Sequence, residues 1–166
     1  RLANQAQVYP PFYCKKDLHY GTHSGRIEIQ VGDRPGSNLQ KVASMKGKAL
    51  VVEEMKFEIP FPSFVKSTDI KVDQGKLHYD EHTKIAIWEV GTIGATSPKL
   101  TGTMKLQEIE EGSKRLEKMP LIAHFRVPKC TVSGLGVTNM FLGDSEKYKP
   151  FRGVRAVTRA GKYQFR

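Results

Sequence analysis

The chain has few cysteines and no long hydrophobic run. Its two cysteines, Cys14 and Cys130, cannot build the multiple-disulfide framework of a small secreted domain, so we expect two reduced thiols. No apolar stretch approaches the roughly 18 residues that a membrane-spanning helix needs. The chain begins at Arg1 without a methionine, an apolar signal core or an acylation motif, so we expect a fragment of a longer polypeptide.

The sequence also lacks recognised catalytic and cofactor-binding motifs. It has no phosphate-binding loop of the form GxxxxGK[ST], no GxSxG nucleophile elbow and no HExxH zinc motif. His19 and His23 are four residues apart, as are His78 and His82, but both pairs lie in strand and turn sequence. There, this spacing does not place two imidazoles on one face. We therefore predict that the protein is not an enzyme and uses no metal or cofactor.

Alternation of apolar and polar residues with a period of two dominates the chain. Between Gly25 and Val31, for example, Ile27 and Ile29 alternate with polar side chains, as in a strand that buries one face. The same pattern recurs at Leu50 to Ile59, Lys76 to Tyr79, Ile85 to Val90, Leu100 to Leu106, Leu121 to Val127 and Val132 to Thr138. Turn-forming residues separate these segments. The predicted fold is all-β, an immunoglobulin-like Greek-key β-sandwich.

Residues 69–90 allow a more detailed prediction. Lys71 to Tyr79 is predicted to form a hairpin around Gln74-Gly75, because Gln-Gly between two short β-type runs is typical of a turn. A second turn at Asp80 to Thr83 leads into the strand that contains Trp88. As the only tryptophan of the chain, Trp88 is expected to pack in the sandwich core.

Positive charge is concentrated at the C-terminus. Residues 147–166 contain seven Lys or Arg and no acidic residue, whereas the rest of the chain has 20 basic and 17 acidic side chains. In this segment Val154, Val157, Tyr163 and Phe165 are interspersed with the basic residues, which is typical of a half-buried edge strand. Such an edge offers backbone hydrogen-bonding groups to an extended peptide that carries a polar or acidic side chain.

The run EKYKPFRGVRAVTRAGKYQFR, residues 146–166, resembles the closing strands of the mu homology domain. This domain belongs to the medium (mu) subunits of clathrin-type adaptor complexes, and the likeness is greatest to adaptor protein complex 3. Looser likeness extends upstream through Val132 to Asn139, Asp80 to Gly91 and Ser24 to Gly32, and it covers most of the chain.

The resemblance implies two elongated β-sandwich subdomains, the second inserted between strands of the first. Residues 1–131 then correspond to the inserted subdomain, and residues 132–166 to the closing strands of the first, cargo-binding subdomain. The N-terminal part of that first subdomain is absent here. The last strands are therefore expected to lack sheet partners, which favours self-association.

In this family the mu subunit binds Tyr-x-x-Φ sorting signals, where Φ is a bulky apolar residue, in the cytoplasmic tails of membrane cargo. The resemblance implies that the signal pairs with a strand at Arg152-Gly153-Val154-Arg155. Arg155 matches the basic residue that approaches the tyrosine hydroxyl. Gly153 stands where some mu subunits have a tryptophan that stacks on the tyrosine ring.

The resemblance also implies a pocket for the Φ side chain and a cellular setting. Val137, Met140 and Val154 match the apolar wall of that pocket. The implied partners are cargo tails and the other adaptor-complex subunits. The implied location is cytoplasmic, peripheral on Golgi and endosomal membranes and on coated vesicles.

Two other functions stay open at this point. The basic segment could bind an anionic membrane surface or nucleic acid by charge, with Lys46, Lys48 and Lys56 as further lipid contacts. No RNP, KH or zinc-finger pattern accompanies the charge, so nucleic acid is not the expected partner. The inserted sandwich could alternatively serve as an architectural spacer within the complex.

Overall fold

The computed structural model describes residues 10–34, 51–94, 96–108, 119–131, 137–141, 151 and 153–165. Within these ranges the chain forms nine strands and no helix. The strands are β1 (Phe12–Tyr20), β2 (Ser24–Asp33), β3 (Val52–Pro60), β4 (Val65–Val72), β5 (Lys76–Asp80), β6 (Ile85–Ile93), β7 (Lys99–Leu106), β8 (Leu121–Pro128) and β9 (Val157–Phe165). No helix in these ranges has the length and the apolar character to cross a membrane.

The strands form two antiparallel sheets. The four-stranded sheet has the order β1-β2-β7-β4, and the five-stranded sheet has the order β5-β6-β3-β8-β9. The predicted all-β sandwich is confirmed, and β2, β3, β5, β6, β7 and β8 fall on segments that the alternating pattern predicted. The predicted strand at Val132 to Thr138 lies mostly outside the described residues.

The core lies between the two sheets. It is formed by the apolar side chains that alternate with polar ones along the strands. In β8, every second residue from Leu121 to Val127 is buried, while the residues between them are only partly covered. Phe12 of one sheet packs edge-on against Phe125 of the other, with ring centroids 4.9 Å apart. Trp88 is fully buried, as predicted.

The predicted hairpin from Lys71 to Tyr79 is wrong, because the strands on either side of its turn belong to different sheets. β4 pairs with β7, and β5 pairs with β6. The turn at Asp73 is held by β7, since its amide donates to the carbonyl of Lys99 at 3.1 Å and its carboxylate accepts from the Lys99 amide at 2.7 Å. Residues 73–75 therefore carry the chain from one sheet to the other.

Gln74 connects this crossover to β6 through hydrogen bonds. Its side-chain amide donates to the carbonyls of Val90 at 3.2 Å and Thr92 at 3.1 Å, while its Oε1 accepts from the Thr96 hydroxyl at 3.1 Å. Its backbone carbonyl accepts from the indole nitrogen of Trp88 at 2.9 Å. Because buried polar groups are costly unless they are paired, these bonds allow the chain to change sheets beside the core.

The second predicted turn, Asp80 to Thr83, is confirmed and joins β5 to β6. The Asp80 carboxylate accepts from the Thr83 hydroxyl at 2.8 Å and from the His82 amide at 2.9 Å. These hydrogen bonds, led by the one from Thr83, lower the pKa of Asp80 because they favour the charged form.

Both cysteines are thiols; Cys130 is buried and Cys14 is partly covered by the residues around it. Burial raises the pKa of Cys14 to about 12, against a smaller opposing effect of the Lys16 charge. Since the thiolate is the reactive form, the Cys14 thiol of the folded protein should be a poor nucleophile.

We expect iodoacetamide at pH 8 to label Cys14 about a thousandfold more slowly in the folded protein than in urea, because each unit of raised pKa lowers the thiolate fraction about tenfold. Mass spectrometry of the digested protein measures this rate. The urea sample is the control, and equally fast labelling in both states would contradict the burial of Cys14.

Candidate functional site

The C-terminal strand β9 lies on the edge of the five-stranded sheet. It pairs antiparallel with β8 from Leu121 opposite Phe165 to Pro128 opposite Val157. Its inward side chains reach the core, where the ring of Phe165 lies 5.8 Å from that of Phe12. The predicted half-buried edge strand is therefore confirmed for residues 157–165.

The expectation that the last strands lack sheet partners is wrong for β9. The outer edge of β8 supplies the missing hydrogen bonds, and the aromatic residues of β9 extend the core. Tyr163, for example, packs edge-on against Phe125 with ring centroids 6.2 Å apart. Because β9 is paired with β8, it is not an unpaired strand that would favour self-association.

The residues predicted to dock a peptide lie just before β9. Gly153, Val154 and Arg155 are exposed and belong to no strand, and β9 begins at Val157. Arg152 lies outside the described residues. The predicted peptide-pairing strand is thus not formed at 153–155 in this structure, and the assignment of these residues to a peptide site stays a prediction.

Exposed apolar side chains concentrate in two stretches of the chain, 137–141 and 151–157. All six large apolar side chains that the described part of the chain leaves largely exposed fall between residues 137 and 157. They are Val137, Met140, Phe141, Phe151, Val154 and Val157. The sequence prediction included Val137, Met140 and Val154 but missed Phe141 and Phe151, which are 87% and 98% exposed. Large exposed apolar side chains are candidates for contacts with a partner.

The exposed ring of Phe151 lies beside Gly153. A Cβ atom at Gly153 would lie 2.9 Å from Cε1 of Phe151, closer than such atoms normally approach. A larger side chain at this position is accommodated by rotation of the Phe151 ring, which is exposed. A local signal for this contact exists in the sequence, namely an aromatic residue two positions before the glycine.

Two arginines face each other across β8 and β9 and share one carboxylate. Arg126 is the register partner of Arg159, and like charges directly opposite each other destabilise a sheet. The Glu54 carboxylate lies 2.8 Å from Arg126 Nη1 and 3.9 Å from Arg159 Nη2. The hydrogen bond to Glu54 is the main cause of a raised pKa for Arg126.

Glu54 reaches both arginines from an irregular point in β3. The pairing of β3 with its two neighbours shifts register between residues 52 and 56, and Glu54 has a φ of 53°. Such left-handed backbone is strained for a residue other than glycine. The bulge places an acidic side chain beside two arginines that would otherwise repel each other.

Of the predicted lipid contacts, only Lys56 is described. It lies in β3, opposite Glu89 of β6 and His124 of β8, and it is partly buried. A lysine opposite a carboxylate is less suited to an anionic surface than an unopposed one. Lys46 and Lys48 lie outside the described residues, so the lipid site stays a prediction.

The histidine pairs occupy strands and turns, as the sequence indicated. His19 is in β1 and His23 follows in the turn, while His78 is in β5 and His82 is in the turn after it. Among the residues that the structure describes, no group of three or more His, Cys, Asp or Glu is arranged to hold a metal ion.

The chain resembles known proteins over its whole length. Residues 1–166 match the adaptor complexes medium subunit family. The chain is 35% identical over 161 residues to the AP-3 complex subunit mu of Dictyostelium discoideum, with 94% of this chain and 35% of the relative covered. It is 32% identical over 169 residues to the AP-3 complex subunit mu-1 of Homo sapiens, with 100% of this chain and 37% of the relative covered. It thus spans little more than a third of the length of these relatives.

Two known structures share the fold of this chain. The Fcho1 mu homology domain of Danio rerio with bound Eps15 peptide superposes with a TM-score of 0.55 at 10% identity, covering 95% of this chain and 45% of that one. A homology model of the full-length AP-3 complex gives a TM-score of 0.52 at 16% identity, covering 90% and 40%. At these identities the likeness concerns the fold, and the family follows from the sequence matches: the chain belongs to the adaptor complexes medium subunit family.

Proposed function

We propose that this chain is a cargo-recognition part of a vesicle-coat adaptor subunit and that it binds Tyr-x-x-Φ sorting signals in the cytoplasmic tails of membrane proteins. The observation that carries the proposal is the match of all 166 residues to the medium subunit family. In this role the protein binds its partners and catalyses no reaction. It works at the cytoplasmic surface of Golgi and endosomal membranes and on coated vesicles.

The exposed residues in the stretches 137–141 and 151–157 support a peptide partner. Its exposed apolar side chains suit a bulky Φ residue, and the exposed Arg155 adjoins Val154 in the chain. A guanidinium is a fixed donor for a phenolic oxygen. The similar Fcho1 domain was solved with a bound peptide, which is consistent with peptide recognition by this fold.

The proposed partners also include the other subunits of an adaptor complex, since the similar AP-3 mu chains are subunits of one. In this view residues 1–131 form the inserted sandwich, and residues 132–166, whose strand β9 joins the sheet of that sandwich here, contribute to the cargo-binding subdomain in the longer protein. A peripheral contact of the basic C-terminal segment with anionic lipid would place the signal site close to the membrane.

Replacing Arg155 with alanine should weaken binding of a Tyr-x-x-Φ peptide by about 10- to 100-fold, because a hydrogen bond from a charged donor contributes about 1.5–3 kcal/mol. Calorimetric titration measures the affinity in a chain extended upstream with the corresponding residues of the Dictyostelium relative. A short peptide buries little surface, so the parent affinity itself should be modest.

Lys105→Ala provides the matched control, because Lys105 is an exposed basic residue on β7 in the other sheet. Its substitution should leave the affinity unchanged. Equal affinities for Arg155→Ala and the parent would remove Arg155 from the site.

A further inference from the structure

A register shift divides β9 into two halves that are attached to the molecule in different ways. At this point Gly161 and Lys162 stand opposite the single residue His124 of β8. After it, the rings of Tyr163 and Phe165 pack against aromatic rings of the core. The C-terminal half of β9 is therefore held by aromatic packing.

The N-terminal half of β9, residues 157–160, contains no aromatic residue. Its Thr158 hydroxyl donates to the carbonyl of Cys130 at 2.9 Å. Its Arg159 guanidinium lies 3.9 Å from the carboxylate of Glu54 in β3. Apart from its backbone pairing with β8, this half is therefore attached largely through polar contacts.

The contact with Glu54 offsets a repulsion between β8 and β9. Arg126 stands directly opposite Arg159, and like charges in that position destabilise a sheet. The Arg126 side chain is only 26% exposed, so water and salt screen its charge less than that of a fully exposed residue. Among the described residues, Glu54 is the one carboxylate within ion-pair distance of both arginines. Glu53 stands opposite Arg126 in β3 but at no such distance from either.

The backbone of Glu54 is strained, and the strand that its carboxylate contacts leads directly from the candidate peptide site. A non-glycine residue with a φ of 53° persists where its surroundings compensate for the strain. β9 begins at Val157, two residues after Arg155. Because the two segments are continuous in the chain, the attachment of residues 157–160 limits where residues 153–155 can lie.

We propose that Glu54 is a positioning residue for the peptide site. By contacting both Arg126 and Arg159, its carboxylate fixes residues 157–160 against β8 and so sets the place from which residues 153–155 extend. Glu54 acts through the arginines and not on the peptide. Its effect on peptide binding rests on the proposed Tyr-x-x-Φ function, whereas the attachment of β9 does not.

The first test is Glu54→Gln, which removes the charge but keeps the length of the side chain and the strained backbone. We expect the protected amides among residues 157–160 to exchange with solvent about two- to fivefold faster, the size expected for an ion pair with exposed groups. Amides of residues 163–165 should change less, because aromatic packing holds them. Hydrogen exchange followed by NMR measures both, and equal rates in parent and variant at residues 157–160 would overturn the proposal.

Two further variants separate the contact from a general loss of charge or stability. Glu53→Gln removes the same charge one residue away, so its effect on residues 157–160 should be smaller. Adding Arg159→Gln to Glu54→Gln removes the repulsion, so exchange should return toward the parent rate. An equally large effect of Glu53→Gln, or faster exchange in the double variant than in Glu54→Gln alone, would overturn the proposal.

Binding of a Tyr-x-x-Φ peptide to the upstream-extended chain tests the positioning role. Calorimetric titration should show an affinity about two- to fivefold lower for Glu54→Gln and a recovery when Arg159→Gln is added. Faster exchange of residues 157–160 with an unchanged affinity would overturn the positioning role. Absence of binding by the parent would overturn the proposed function and that role with it, while the exchange rates decide the attachment of β9 separately.

Discussion

Replacing Trp88 with alanine is expected to lower the free energy of unfolding by about 3–5 kcal/mol, the range observed for truncating large buried aromatic residues. The ring is fully buried and stacks on Phe57 with centroids 5.8 Å apart. Its loss also removes the indole hydrogen bond to the carbonyl of Gln74 at the crossover between the sheets. Since small proteins are stable by about 5–15 kcal/mol, this variant should be close to unfolding.

Urea unfolding followed by circular dichroism measures this effect, because removal of the only tryptophan also removes its fluorescence. Trp88→Phe retains an aromatic ring but not the hydrogen bond, so its loss of stability should be smaller. Thr101→Ala, on the exposed face of β7, should stay within about 0.5 kcal/mol of the parent. A change below about 1 kcal/mol for Trp88→Ala would show that the core does not depend on this ring.

Gly75→Ala should also be strongly destabilising, for two separate reasons. Gly75 has a φ of 89°, and non-glycine residues held in such conformations are destabilised by about 1–3 kcal/mol. In addition, its Cβ atom would stand only 2.1 Å from the carbonyl oxygen of Glu89. Because that oxygen belongs to the backbone of β6, relief of the contact requires the crossover or the strand to move.

Two glycines within strands of the five-stranded sheet separate these causes. Gly91 has a φ of 83°, but a Cβ atom there would meet nothing within 4 Å. Gly161 is equally open and has no such φ. Urea unfolding should therefore rank the alanine variants with Gly75 most destabilised, Gly91 intermediate and Gly161 least. Equal losses for Gly75→Ala and Gly91→Ala would mean that the contact with Glu89 is relieved without cost.

The sequence predicts strands best where one face is fully buried. β2 and β8 alternate regularly because their inward side chains are all in the core. It predicts β1 and most of β4 poorly, and these are the two edge strands of the four-stranded sheet. An edge strand is covered on fewer sides, so polar residues such as Lys66 and Asp69 are tolerated along it.

The wrong hairpin shows a second limit of local sequence. Asp73, Gln74 and Gly75 are ordinary turn residues, and they serve a crossover between sheets as well as a hairpin. The pairing of β4 with β7 decides between a hairpin and a crossover, and the residues of β7 lie about 30 positions further along the chain. No pattern within a short window contains that information.

At the candidate site, too, the sequence predicted features that depend on neighbouring residues and missed those that depend on distant ones. The sequence predicted the strand and the positive charge of β9, since both depend on neighbouring residues. It did not predict that β9 joins β8, and it placed the peptide-pairing strand at Arg152 to Arg155, just ahead of β9. The choice of sheet partner depends on the aromatic core that Tyr163 and Phe165 complete.

The bulge at Glu54 leaves position 54 under two conflicting requirements. Its backbone conformation favours glycine, whereas the two neighbouring arginines favour an acid. A glycine there would relax the chain and remove the one carboxylate in the described part of the chain that contacts both Arg126 and Arg159, leaving Arg126 with Glu53 opposite it in β3. The effect of a substitution at position 54 on the sheet therefore includes a change in the repulsion between Arg126 and Arg159, because Glu54 contacts both.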